Sequence, residues 1–216
     1  MTDLSTRIGA ALAAGGLALG GATAPAAAAP APATDGPDVK LTNVVLNGSG
    51  CHKGDTSVLL GNGVNSVVDV VYGAFTAEAG LVPQDDGTTG WVDVARKSCQ
   101  INLTLNHRAG FSFALTPVTA PGSAALAAHA KARQTVVTYF SGTPQQNEFV
   151  ADVRGPMSGG YDHTEPLPAP LWSACGAAAQ INLNTRVEVD ATESARDTRS
   201  DMAPGHHRYH FQWRTC

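Results

Sequence analysis

Three of the seven histidines in the chain lie within five residues of one another and are the first residues to consider for chemistry. Neutral imidazole is a common metal ligand, so His206, His207 and His210 could form part of a metal centre. In an extended strand, however, His206 and His210 share a face with Arg208, while His207 falls on the opposite, aromatic face. An arginine between two ligands disfavours a cation. We interpret His206 and His210 as a solvated strand face, and we predict no metal or cofactor site.

Nucleophilic catalysis by serine also lacks its usual pattern. A nucleophile elbow requires Gly-x-Ser-x-Gly, whereas Ser49 and Ser158 follow Asn47 and Pro156 by two residues. Triads assembled from distant residues are always available in a chain with many serines, and they carry little information.

Two acidic segments could supply acid-base catalysis or calcium ligands, namely Asp85-Asp86-Gly87 and Tyr161–Glu165. Neither has the spaced oxygen ligands of a calcium loop, and Asp-Gly is typical of a turn. We interpret both segments as turns or solvated loops. The sequence thus assigns no catalytic residue and favours a non-enzymatic protein, although paired carboxylates leave no sequence pattern.

Aromatic and basic side chains are the candidates for surface binding. Trp172 and Trp213 each precede a cysteine by three residues, which favours packing on a disulfide in the core. Trp91 lies near an Asp-Gly turn and could instead stack on a ligand. The candidate surface-binding residues are Trp91, His129, Lys131 and Arg133.

The four cysteines predict a disulfide framework. An even number of cysteines is expected in an exported chain, and none of the spacings matches a zinc ribbon or a redox pair. Three pairings are possible. We prefer the sequential one, Cys51 with Cys99 and Cys175 with Cys216.

The sequence also contains two acceptor patterns for glycosylation, Asn47-Gly-Ser and Asn102-Leu-Thr. Asn47 falls at a turn and Asn102 on the outward side of a strand, so both side chains could be reached. Whether the host glycosylates them is not encoded in the sequence.

The dominant periodicity is two, which indicates strands with one buried face. In Ile181–Asp190, every apolar residue falls on one face and every charged residue on the other. Many such short strands, with Gly, Pro, Asn and Asp between them, predict an all-β fold, either an antiparallel β-sandwich or a barrel-like single domain stapled by two disulfides. The other strand candidates are Val39–Leu46, Thr56–Leu60, Ser66–Ala77, Cys99–Asn106, Phe111–Leu115, Phe149–Arg154 and Arg208–Arg214.

One alanine-rich segment is ambiguous. Ala124–Ala130 favours a helix by intrinsic propensity, yet the residues from Leu126 onward also alternate, with Ala128, Ala130 and Ala132 on one face. We predict a strand for Lys131–Phe140 and leave Ala124–Ala130 open.

The first residues are typical of a secretory signal, with a basic start, an apolar stretch and small-residue cleavage sites. We predict a signal peptide at 1–28, a flexible Pro/Ala-rich leader at 29–38, and a single secreted β-rich domain at 39–216, with no membrane association after cleavage. The net charge of -4 and the absence of basic runs exclude a typical nucleic-acid reader.

Several short motifs follow one another along the mature chain. They are Gly48–Cys51, Arg96–Gln100, Tyr139–Gly142, Arg154–Pro156, Trp172–Gly176, Ile181–Thr185 and Trp213–Cys216. This series resembles the secreted fungal and bacterial family known as domain of unknown function 4360, from about Val39 to the last residue. The resemblance implies an extracellular β-rich domain in which the four cysteines are family cysteines, and it implies no catalytic residue.

These observations lead to three functional hypotheses. We favour a secreted, non-enzymatic protein that binds or coats an extracellular surface, with a cell-wall polymer or a protein as its ligand. The alternatives are a secreted hydrolase acting on a polysaccharide or another polymer, and an effector or inhibitor of another protein. The ligand, the oligomeric state and the biological role do not follow from the sequence.

Overall fold

Strands account for all the regular structure in the residues that the computed structural model describes, which are 37–61, 67–165 and 170–216. They are β1 (Lys40–Asn47), β2 (Thr56–Gly61), β3 (Val67–Tyr72), β4 (Ala77–Pro83), β5 (Thr89–Val92), β6 (Val94–Thr119), β7 (Gly122–Leu126), β8 (Lys131–Phe140), β9 (Gln146–Arg154), β10 (Met157–Tyr161), β11 (Thr164–Glu165), β12 (Gly176–Asp190), β13 (Arg199–Pro204) and β14 (His207–Thr215). In these ranges no helix is long and apolar enough to cross a membrane. The predicted signal peptide and residues 29–36 of the leader lie outside the described residues.

The strands form two antiparallel sheets that pack as a sandwich. The large sheet has the order β2-β3-β14-β6-β12-β8-β9, and β1 and β11 also pair with β6. The small sheet has the order β10-β7-β13-β4-β5. Neither sheet closes on itself, so the prediction of an all-β fold is confirmed as a sandwich and not as a barrel.

Strand β6 is the longest element, with 26 residues, and it serves two groups of partners. Its first half pairs with β1 and β12, and its second half pairs with β14. The junction contains Gly110, whose φ of +86° is a left-handed conformation that glycine adopts without strain. The sequence predicted two separate strands, Cys99–Asn106 and Phe111–Leu115, because alternation is lost at this junction.

The large sheet bends so strongly at β6 that its two halves face each other. The Tyr72 hydroxyl of β3 lies 3.0 Å from Thr185 Oγ1 of β12, although β14 and β6 separate these strands in the sheet order. Gln134 of β8 likewise contacts His207 of β14. The core therefore lies between β6, β12 and β8 on one side, and β3, β14 and the small sheet on the other.

Alternation predicted the inward faces of the long strands correctly. The apolar residues that alternation places inward in Cys99–Asn106 and in Ile181–Asp190 are at most 2% exposed, because the opposing sheet covers that side. These residues are Cys99, Ile101, Leu103, Leu105, Ile181, Leu183, Val187 and Val189.

The structure corrects one predicted strand, Ser66–Ala77, and resolves the alanine-rich segment that the sequence left open. The candidate Ser66–Ala77 is not one strand, because the chain turns after Tyr72 and β4 begins only at Ala77; Ser66 itself lies outside the described residues. The open segment is strand as far as Leu126 and then a turn, in which Ala128 is exposed and does not face inward. Pairing of β7 with β10 and β13 on both sides outweighs the helix propensity of alanine.

The two disulfides have the sequential pairing preferred from the sequence. Cys51 pairs with Cys99 at the centre of the core, and Cys175 pairs with Cys216 at the surface. The turn before Cys51 packs tightly: a Cβ on Gly48 would lie 2.2 Å from the Ser98 carbonyl oxygen. Only glycine fits there.

Candidate functional site

Outward side chains of five adjacent strands form a continuous polar surface, which we call the outer face. It consists of the outward residues of β1, β6, β12, β8 and β9, which lie side by side in the large sheet. Neighbouring strands are about 4.8 Å apart, and every second residue points to the same side. Fixed rows of side chains therefore run across the outer face.

One row carries alternating charge across four strands. Arg96 of β6 lies opposite Glu188 of β12, and Arg133 of β8 lies between Glu188 and Asp152 of β9. Arg96 donates from Nε and Nη2 to the Glu188 carboxylate at 2.6 and 3.2 Å, and Arg133 donates likewise to Asp152 at 2.7 and 3.0 Å. Such two-point guanidinium–carboxylate pairs fix the orientation of both groups.

These contacts keep the carboxylates ionised. Hydrogen bonds from Arg96 lower the pKa of Glu188, and those from Arg133 lower the pKa of Asp152. Hydrogen bonds from Thr192 lower the pKa of Asp190 at the end of the same face. None of these three carboxyl groups is held protonated, so none is prepared to act as a general acid.

An open groove of about 460 Å³ follows this charged end of the outer face. Its polar lining contains four basic and four acidic side chains, so its formal charge is balanced. They are Lys131, Arg133, Arg154 and Arg186, with Glu148, Asp152, Glu188 and Asp190.

Away from this charged end, the outer face carries a row of amides. Asn102 Nδ2 donates to Asn182 Oδ1 at 3.0 Å, and Asn182 Nδ2 donates to Ser141 Oγ at 3.0 Å. Tyr139 lies in the same row as these asparagines, between Asn182 and Gln146. Together they form an amide row with a half-exposed aromatic ring.

The structure brings two of the four predicted surface-binding residues onto the outer face. Lys131 and Arg133 line the groove, and Lys131 Nζ lies 3.2 Å from Glu193. His129 lies in the turn before β8, where it has a φ of 68° and does not line the groove.

Trp91 lies elsewhere, on β5 of the small sheet. Its ring is half-buried against the core, Arg196 covers one face at 4.4 Å, and Nε1 donates to Asp93 Oδ1 at 2.7 Å. Arg196 therefore occupies one of the two ring faces on which a sugar could stack. Residues 191–198 connect the two places, since they carry both Glu193 and Arg196.

The other tryptophans border the exposed disulfide. Trp213 packs against Phe113 and His107, with ring centroids 4.9 and 5.3 Å away, as expected of a core residue. Trp172 is only half-buried and carries the Arg214 guanidinium 4.0 Å above its ring. It was wrong to place both rings beside a buried disulfide, because Cys175–Cys216 is exposed.

The histidine cluster divides as alternation predicted. His206 and Arg208 point outward, and both contact Asp69, with His206 Nε2 at 2.8 Å. His210 is half-buried, and His207 is fully buried. Among the described residues, no group of three His, Cys, Asp or Glu side chains could hold a metal ion.

Inside the sandwich, His207 is the centre of a polar network whose other members the sequence did not indicate. Its ring nitrogens lie within 3.4 Å of side chains from Tyr72 in β3, Gln134 in β8 and Thr185 in β12. These strands come from opposite sides of the core. Alternation can place His207 inward, but it contains no information about which strands face β14.

The contacts of Gln134 determine which ring nitrogen of His207 carries the proton. Gln134 Nε2 donates to the Ala120 carbonyl at 3.3 Å, and Gln134 Oε1 accepts from the Tyr161 hydroxyl at 2.5 Å. The same Nε2 lies 3.2 Å from His207 Nε2, which must therefore accept. The neutral ring carries its proton on Nδ1. A second proton would point at an amide donor, and burial lowers the pKa of His207 to about 3.

The acidic segments singled out in the sequence are only partly turns. Asp86 accepts from the backbone and hydroxyl of Thr88 at 2.9 and 2.6 Å, which is the predicted turn. Tyr161 is instead the last residue of β10 and reaches into the His207 network, and Thr164–Glu165 forms β11. The interpretation of Tyr161–Glu165 as a solvated loop was therefore wrong.

A different pair of carboxyl groups meets on the small sheet. Asp201 of β13 lies opposite Glu78 of β4, and Arg199 contacts the Glu78 carboxylate. Burial and the nearby Glu78 raise the pKa of Asp201.

Of the two glycosylation candidates, Asn47 is exposed at the end of β1, whereas Asn102 is half-buried within the amide row.

The chain was compared with known proteins. The family model described as "Domain of unknown function (DUF4360)" matches residues 37–216. An "Uncharacterized secreted protein" of Arthroderma benhamiae is 28% identical over 160 residues, which are 73% of this chain and 62% of the relative. The chain thus spans about three fifths of the length of that relative. A solved structure of TmCBM61 in complex with β-1,4-galactotriose aligns with 80% of this chain and 88% of its own, at 9% identity and a TM-score of 0.28, too low to carry an argument.

Proposed function

This chain belongs to the family described as domain of unknown function DUF4360, and from its own surface we propose that it is a non-enzymatic domain that binds an extracellular polymer through the outer face. The protein is secreted, as its secreted relative and its two disulfides indicate.

The observation that supports binding is the continuity of the outer face. Its side chains come from five neighbouring strands, and its ion pairs and amide contacts hold them in place before any ligand arrives. A surface that is already ordered loses little conformational entropy on binding. An extended ligand can contact several rows at once.

The proposal is tested with the purified protein and a panel of insoluble extracellular polymers. We expect at least one polymer to deplete the protein from solution, and we expect the double variant Arg133→Ala and Asn182→Ala to weaken that binding at least tenfold. Arg208→Ala is the matched control, because Arg208 makes a two-point ion pair with Asp69 outside the outer face. Unchanged binding by the double variant, with a normal melting temperature, would contradict the assignment of the outer face.

A hydrolytic activity is the second candidate, favoured by the pair Asp201 and Glu78. Glycoside hydrolysis uses one protonated and one ionised carboxyl group. The raised pKa of Asp201, beside the carboxyl group of Glu78 on the neighbouring strand, is the observation that favours this candidate. Release of soluble sugar from a polymer, abolished by Asp201→Asn with the fold intact, would establish this activity in place of binding alone.

We also propose that export removes the signal peptide predicted at 1–28 and that 39–216 is the binding domain. The amino-terminal sequence of protein recovered from the medium tests this, with a start between residues 25 and 34 as the expected result.

A further inference from the structure

We propose that the ligand of the outer face is an uncharged, polyhydroxylated polymer, that is, a neutral polysaccharide chain. This inference rests on the proposed function and specifies the chemistry of its ligand.

The charge balance of the groove argues against a charged ligand. Four basic and four acidic side chains line it, so it offers no field of one sign that would attract a polyanion or a polycation. Several of these charges also pair with one another, Arg133 with Asp152 and Arg186 with Glu188. A charged ligand that bound to one of these groups would displace its partner and leave that partner uncompensated.

Hydroxyl groups fit the same surface without breaking these pairs. A hydroxyl donates one hydrogen bond and accepts up to two, so it can accept from a free guanidinium N–H while it donates to a carboxylate oxygen. Arg133 uses Nε and Nη2 for Asp152, and Nη1 is not involved in that pair. A ligand rich in neighbouring hydroxyls can therefore add to each ion pair.

The amide row provides a second set of the same groups. Asn102 makes one of these side-chain hydrogen bonds and Asn182 makes two, and each amide retains further donor and acceptor capacity on the outer side of the sheet. Tyr139 stands beside them with a half-exposed ring. A ring with an apolar body and a polar tip matches a sugar, which presents C–H faces and hydroxyl edges.

Depletion assays on polymers of different charge test the inference. The probes are cellulose, mannan, galactan and xylan as uncharged chains, calcium pectate gel as a polyanion and cross-linked chitosan beads below pH 6 as a polycation, each at 50 and 500 mM NaCl. We expect binding to at least one uncharged chain, with less than a twofold change between the two salt concentrations, because uncharged contacts are not screened.

Variants connect that binding to the outer face. Tyr139→Phe removes only the hydroxyl, and Asn182→Ala removes one amide. We expect each to weaken binding to the uncharged chain severalfold, and Arg208→Ala to leave it unchanged, with all melting temperatures within a few degrees of the wild type.

The outcomes separate the two proposals. Binding only to pectate or chitosan, lost at 500 mM NaCl and in Arg133→Ala, would overturn the uncharged ligand and leave the proposed function standing. Binding to an uncharged chain that neither Tyr139→Phe nor Asn182→Ala affects would also overturn this inference. Binding to no polymer at all would overturn both.

Discussion

At the scale of single residues, His207 is held neutral by its surroundings. Its Nε2 faces the amide of Gln134, and the neutral hydroxyl groups of the half-buried Tyr72 and the buried Tyr209 lie beside its Nδ1. His206, which precedes it in the chain, further opposes a charge on His207. The ring can take up a proton only if the contact between β14 and β8 opens.

We therefore predict that acid destabilises the fold through this residue. The pKa of His207 is about 3 in the folded protein and about 6.5 when unfolded, so only the unfolded state gains a proton between these values. The free energy of unfolding should fall as the pH drops below 6.5, at about 1.4 kcal/mol per pH unit and by about 5 kcal/mol in total.

Urea denaturation between pH 7 and pH 4 measures this slope. His207→Gln should flatten it, whatever that variant costs at pH 7, while His206→Gln should retain it because His206 is exposed. Identical slopes in the wild type and His207→Gln would show that the buried ring is not responsible.

At the scale of the strand, the outer face depends on the register of β6. Leu103 is fully buried, whereas its neighbour Asn102 points outward. Leu103→Asp should destabilise the protein by several kcal/mol, because it buries an unpaired charge, while Asn102→Asp should cost no more than about 1 kcal/mol. Thermal denaturation of the two variants checks this, and similar melting temperatures would show that the register is wrong.

Periodicity predicts strands only where large apolar residues alternate with polar ones. This held for β12, but β4 buries Ala77 and Ala79, which are too small to mark an apolar face in the sequence. The site was partly predictable for a similar reason. Alternation placed Lys131 and Arg133 outward, whereas the partners of Arg133 depend on the order of the strands, which local periodicity does not contain.

At the scale of the whole molecule, the two disulfides differ in exposure, although they close loops of similar length. They join residues 48 and 41 positions apart, and each loop closure stabilises the fold by about 4 kcal/mol on loop-entropy grounds. Cys51 and Cys99 are at most 1% exposed, while Cys175 and Cys216 lie at the surface. The two bonds should therefore differ in their rate of reduction.

We predict that mild thiol treatment under native conditions opens Cys175–Cys216 first. Alkylation followed by peptide mass mapping should label Cys175 and Cys216 well before Cys51 and Cys99. Labelling of all four at one rate would indicate that both bonds open only through global unfolding.

The pairing of the long strand β6 affects the rate of folding. Its partners β12 and β14 lie about 80 and 95 residues further along the chain, so its pairing is almost entirely non-local. Topologies of this kind fold in milliseconds to seconds, more slowly than locally connected ones. Because β14 follows the other described strands in the chain yet lies between β3 and β6, the large sheet cannot be completed until β14 has been synthesised. A chain with this strand order therefore reaches its complete fold only after its last strand is available, which suits a protein that crosses a narrow export channel before it folds.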